Sequence, residues 1–275
     1  MRFIKKDIRS GNWFVAATMI WTYVVLAIPA LRGLNFEDPL TRITFILAGA
    51  SPSVFGLFFV FLTADRTYIR MFLKRIVTLG NTKMEKIIIA LVLVPLVTVF
   101  SAYLSFLFTS VPPDFSVLGA YTKNIGGLFL FAIFTLVFGP LAEEIGWRGY
   151  LLDCWQEKGI IGYGAGIGLI WMLWHLPMFF ITGSYQNSLA LQGLIPVLSF
   201  ALSTISLGVI IGKITKTTGS ILLAILFHFT INFTGELIPL SLAGELINAL
   251  ILTIIAAWII FSSSSNKETA SGNGG

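Results

Sequence analysis

Charge is what this sequence has least of. Asp, Glu, Lys and Arg make up 11% of 275 residues, 56% are hydrophobic, and the mean hydropathy is +0.88. Soluble domains carry roughly twice that share of charge, so a soluble class is excluded and an all-α, polytopic membrane protein is expected. Cysteine occurs once, at Cys154 in a short stretch between helices, which excludes an internal disulfide and leaves that thiol without an assigned role. No cleavable secretory signal is expected, because the first apolar run is too long and no small-residue cleavage site follows it. Long polar stretches are missing as well. The longest is the Ser-, Gly- and Asn-rich tail 262–275, expected to be disordered. Residues 1–261 are read as one transmembrane domain, with no soluble domain and no repeat array.

What is there is a series of apolar runs long enough to cross a bilayer. They fall at about 13–31, 43–63, 87–108, 128–142, 159–181, 189–212, 219–233 and 242–261, predicting eight helices. Lys and Arg in short connections set orientation. Arg2, Lys5, Lys6 and Arg9 precede the first run, and Arg66, Arg70, Lys74, Arg75, Lys83 and Lys86 fill the connection after the second. Both segments are therefore expected on the cytoplasmic side, with both termini. The connection 64–83 mixes these cations with Tyr68, Ile69, Met71, Phe72, Ile76 and Val77, a pattern that suits an amphipathic interfacial helix. Topogenic charge accounts for its cations, and anionic lipid headgroups are the alternative, at roughly 1 kcal/mol per cation. Asp153, Glu157 and Lys158 are read as solvated at the cytoplasmic end of the fourth helix.

Ionisable groups at membrane depth are costly and mark function. Glu143 and Glu144 end an apolar run in Phe138-Gly-Pro-Leu-Ala-Glu143-Glu144-Ile-Gly-Trp-Arg148, and the two histidines, His175 and His228, both fall inside predicted helices. Glu144 and Arg148 are i and i+4 and form a pair on one helix face, with the acid N-terminal. Glu143 points about 100° away, with no cation at i+3 or i+4, and is free to act as a base. His228 and Asn232 share a face at i and i+4. Pro177 removes an amide donor and leaves the Leu173 carbonyl without its usual partner, so the fifth helix should bend or end just past His175. At 1.5 Å per residue, Glu143 lies roughly 20 Å from Gln156, His175 roughly 22 Å from Ile160 and His228 roughly 15 Å from Thr218, so the three groups can meet in a cavity open to the cytoplasm.

Glu143-Glu144-x-x-x-Arg148, an aromatic four residues before His175, and His228-x-x-x-Asn232, in that order, resemble the motifs of the CPBP family. This family holds the CAAX prenyl endopeptidases of the Ras-converting type and the bacteriocin-processing proteins, and is also called the ABI family. The resemblance covers core motifs within 128–233 and implies a transmembrane protease domain, an intramembrane glutamate protease. It implies that Glu143 and His175 activate water, that His228 and Asn232 form an oxyanion hole, and that Glu144 and Arg148 orient the site, with no cofactor. The partners implied are the lipid bilayer and a prenylated or membrane-associated peptide or protein substrate, with no nucleic acid. Trp171 stands where the family more often has phenylalanine, and no further histidine follows His175; both departures bear on the substrate. Trp147, Trp155, Trp171, Trp174 and Phe229 could line a prenyl channel or face lipid. A zinc protease using Glu143, His175 and His228 is a rival, against which no His-Glu-x-x-His pattern is present. A non-enzymatic transport or immunity protein is the other, against which no inverted repeat is visible. A prokaryotic cell membrane suits the chain better than an endoplasmic reticulum.

Overall fold

The computed structural model describes the backbone from 8 to 272 and the side chains from 10 to 264. The N-terminal cations 2–9 and the distal part of the tail expected to be disordered lie outside the described side chains. The protein is all-helical and multi-pass. Among the described residues, seven helices are long and apolar enough to cross a membrane, and Ile221–Leu237 is a shorter eighth.

In chain order, α1 (Ile8–Leu31) packs on α2 (Pro39–Gly49) and α3 (Ser51–Thr63), which together form the second span. The amphipathic α4 (Arg66–Val77) precedes α5 (Met84–Thr109), and the short α6 (Ser116–Thr122) follows it. Then come α7 (Ile125–Lys158), α8 (Ile161–Phe180), α9 (Tyr185–Gln192), α10 (Leu194–Thr218), α11 (Ile221–Leu237) and α12 (Leu242–Gly272). Helix starts are set by side-chain caps: Asp38 accepts from Leu40 N–H, Asp65 from Tyr68 N–H, Asn124 from Gly127 N–H, Ser184 from Asn187 N–H and Ser220 from Leu223 N–H.

The structure moves two expected boundaries. The fourth span is a run of 34 residues that continues through the glutamates. Its turns widen to π geometry at Val137–Leu141 and again at Ile145–Leu151. Pro140 lacks the amide that an α-turn needs, and the wider turn accommodates it, while Ser53 donates to the Leu141 carbonyl at 2.9 Å. The sixth span begins at Leu194 rather than at 189, because the separate helix α9, started by Ser184 in the connection between two runs, takes residues 189–192 before that helix ends at Gly193.

Small residues let the helices carrying the motifs come together. Gly164 and Gly168 of α8 face Gly208 and Gly212 of α10, and a Cβ on Gly168 would lie 2.7 Å from the Ile205 carbonyl oxygen. A Cβ on Gly146 would overlap the Pro52 carbonyl, so α3 lies directly on α7. Cys154 lies within α7 and is buried at 2% exposure, beside the Ser10 hydroxyl. Asp153, expected to be solvated, is buried at 1%: Arg75 and Tyr68, both from α4, reach its Oδ2. A buried carboxylate needs such partners, and the Arg75 side chain supplies the opposite charge.

Candidate active site

Three elements bring the motif residues together. The widened middle of α7 carries Glu143, Glu144 and Arg148; the end of α8 carries Trp171 and His175; α11 carries His228 and Asn232. Glu143 is 7% exposed, Glu144 and Arg148 are fully buried, and His228 is 2% exposed.

Glu144 is the junction. Its Oε1 accepts from Arg148 Nη1 at 2.8 Å, the expected i, i+4 pair, and lies 2.8 Å from His228 Nδ1. The carboxylate thus holds α7 to α11 and fixes the His228 ring. Glu143 points elsewhere, as its position on the helix requires, and its Oε2 accepts from the Trp171 indole N–H at 2.6 Å.

Trp171 touches Glu143, Arg148, His175 and His228. Its ring lies 4.6 Å from the Arg148 guanidinium, within cation–π range, and packs edge-on against His228 at 5.0 Å. Its carbonyl lies 2.8 Å from His175 Nδ1. A carbonyl only accepts, so that nitrogen carries the proton and a neutral His175 presents the lone pair of Nε2. Trp174 and Phe200 hold the ring edge-on, at 4.8 and 5.3 Å. As Pro177 predicts, α8 stops being α-helical at Trp174 and continues as a 3-10 turn over Leu176–Phe180. The Leu173 carbonyl finds a replacement donor in the Tyr23 hydroxyl at 2.7 Å.

Asn232 lies one turn beyond His228, against Gly139 and one turn before Glu143 along α7. A Cβ on Gly139 would come within 2.7 Å of its Nδ2, so the amide occupies space that only glycine leaves open. Glu143, Glu144, Arg148, His175, His228 and Asn232 are therefore brought around one locus by contacts with each other or with Trp171 and Gly139. Among the described residues, no three His, Cys, Asp or Glu side chains are placed to hold a metal ion.

Sequence reasoning missed the donor role of Trp171. The signal was present, since Trp171 and His175 share a helix face at i, i+4, but the partner of its N–H sits on another helix. The reading of the other tryptophans as channel-lining or lipid-facing is corrected. Trp147, Trp155, Trp171 and Trp174 are 0%, 9%, 4% and 1% exposed and belong to the core. Trp174 donates to Thr22, which in turn bonds Ser51, so a buried polar chain ties α8 to α1 and α3 behind the site.

The bundle of membrane-spanning helices thus encloses two carboxylates, two imidazoles and an amide around one locus. Residues 125–234, which hold all six motif residues, match the Rce1-like family, described as type II CAAX prenyl endopeptidase. A relative, CAAX prenyl protease 2 of Methanococcus maripaludis, is 33% identical over 192 residues, covering 69% of this chain and 70% of that protein. The chain belongs to the Rce1-like type II CAAX prenyl endopeptidase family, a family of glutamate proteases working within the membrane.

Proposed function

We propose that the protein is an endopeptidase cleaving a peptide bond near the C-terminus of prenylated CAAX-type or membrane-associated peptides, with water activated by Glu143 and His175. The observation that carries this reading is that one residue, Trp171, holds both groups, Glu143 by its indole N–H and His175 by its carbonyl. Each is left with one acceptor that makes no hydrogen bond among the described residues: Glu143 Oε1 and His175 Nε2. A water between them would be oriented by both, and its proton passes to Glu143 as the oxygen attacks the scissile carbonyl.

The tetrahedral oxyanion would be met by Asn232 Nδ2–H and His228. Because His228 Nδ1 is committed to Glu144, the ring donates from Nε2 only as an imidazolium. Glu144 is its counter-charge. Arg148 balances Glu144 in turn. The proton held by Glu143 is then delivered to the leaving amine as the C–N bond breaks. No cofactor enters these steps.

Lys158 and Lys216 lie at the same end of the bundle as the α4 connection, which supports a cytoplasmic site opening with both termini inside. The C-terminal leaving peptide would then depart into water, while a prenyl chain stays in the bilayer. The name of the Methanococcus relative favours a prenylated substrate. The reading is tested by incubating purified protein with a farnesylated CAAX peptide and its unprenylated twin, and locating the cut by mass spectrometry. Faster release of a C-terminal tripeptide from the farnesylated peptide is expected; equal rates on both would remove prenyl recognition from the account.

A further inference from the structure

Helix α4 lies at the end of the bundle where one span stops at Thr63 and the next starts at Met84. Its inner face is locked. Tyr68, Phe72 and Arg75 are buried at 1%, 0% and 7% exposure. Arg75 Nη1 donates to Asp153 of α7 at 2.7 Å, and Nε donates at 2.7 Å to the carbonyl of Gly219, the residue that ends α10 just before α11 begins. Tyr68 donates to the same Asp153 oxygen, and the Ser220 hydroxyl donates to the Thr78 carbonyl at 3.0 Å. One helix is thus bolted to both elements that carry the glutamates and the His228–Asn232 pair. It cannot roll about its axis without breaking those bonds.

The outer face is a row of cations with nothing opposite them. Arg66, Arg70 and Lys74 recur at i, i+4 and i+8, so at 100° per residue they span an arc of about 80°. All three are exposed, and among the described residues none has an ion pair or hydrogen bond through its side chain. α4 itself contains no acid, and the nearest, Asp65, is engaged as its N-cap. On the same side Leu73 and Val77 are 40% and 71% exposed.

We propose that this outer face of α4 binds the headgroups of anionic phospholipids, with Leu73 and Val77 dipping into the acyl boundary. Topogenic charge needs only cations somewhere in the connection. It does not require them aligned on one face, unpaired, beside exposed aliphatic side chains, on a helix whose rotation is fixed. A cationic row bordered by apolar side chains is the pattern of a helix lying at a charged membrane surface. The proposal does not depend on the catalytic reading.

The test is electron paramagnetic resonance on the full-length protein in phosphatidylcholine vesicles carrying a trace of spin-labelled phosphatidylglycerol or spin-labelled phosphatidylcholine. The immobilised fraction should be larger for the anionic probe, with a selectivity of roughly five-fold for each cation engaged, and should fall toward the neutral probe's value in about 0.5 M NaCl. Arg66→Gln, Arg70→Gln and Lys74→Gln together, with Asn81→Lys and Met84→Lys keeping positive charge in the connection for orientation, should abolish most of the preference. Equal immobilisation of the two probes by the native protein would overturn the proposal, as would an unchanged preference in the variant. Displacement of the lipid by inorganic phosphate beyond that caused by chloride of equal ionic strength would also overturn it, since the face would then be a site for the free anion.

Discussion

The indole N–H of Trp171 points at Oε2 of Glu143 from 2.6 Å, across two helices whose sequences give no sign of each other. A donor fixed to one oxygen of a carboxylate decides where the other oxygen goes, and here the other is the one left to reach water. Trp171→Phe keeps a ring beside His228 and Arg148 but deletes the donor. A hydrogen bond to a charged group is worth about 1.5–3 kcal/mol, so kcat should fall roughly 10- to 100-fold. KM for a farnesylated peptide should hardly move; a pure KM effect would make Trp171 a substrate contact instead.

Glu144 and Arg148 should behave as a unit. Glu144→Gln leaves a fully buried guanidinium without its counter-charge, at a cost of about 3–5 kcal/mol, read as a lower unfolding midpoint in detergent. Adding Arg148→Met to that variant should restore much of the stability, because it removes the buried guanidinium left without a counter-charge, while activity stays lost. If the double variant were as unstable as the single one, the pair would not be what Glu144 balances.

His228→Ala and Asn232→Ala each remove one group assigned to the oxyanion. Each should reduce kcat by about 10²–10³ with little change in KM, as expected for interactions made only in the transition state. Steady-state kinetics on one peptide checks both. Loss of affinity alone would place these residues in a binding pocket.

Gly168→Ala tests the packing that brings α8 to the site. Its Cβ would meet the Ile205 carbonyl at 2.7 Å and the Ile205 Cα at 3.0 Å, both backbone atoms that cannot swing away. Overpacking of this kind costs about 1–3 kcal/mol, so the unfolding midpoint should drop and α8 should be displaced from α10. An unaltered midpoint would show that the two helices are not pressed together there.

Much of the site was legible in the sequence because its spacing is local. Glu144 with Arg148 and His228 with Asn232 are one turn apart, and Pro177 announces the end of a helix just beyond His175. What could not be read depends on partners far along the chain. Asp153 looks solvated until Arg75 arrives from α4, and Trp171 reads as channel-lining or lipid-facing until Glu143 is placed opposite it. The apolar run of the fourth span reads as stopping at 142 because glutamates and an arginine interrupt its hydropathy, yet the helix continues to Lys158, as the distance count to Gln156 assumes, with the Glu144 and Arg148 charges paired inside the bundle. The α9 helix escaped because its second half, from Leu189 to Gln192, is apolar enough to read as the start of the next span, although its cap, Ser184, lies in the connection before it.

The most direct measurement is the rate of cleavage of a fluorogenic farnesylated CAAX peptide by the purified protein, with and without a zinc chelator, beside Glu143→Ala as the blank. The account predicts cleavage that survives the chelator and disappears in the variant while its unfolding midpoint stays close to that of the native protein. Cleavage retained by Glu143→Ala would contradict the assignment of the base, and loss on chelation would transfer the chemistry to a metal.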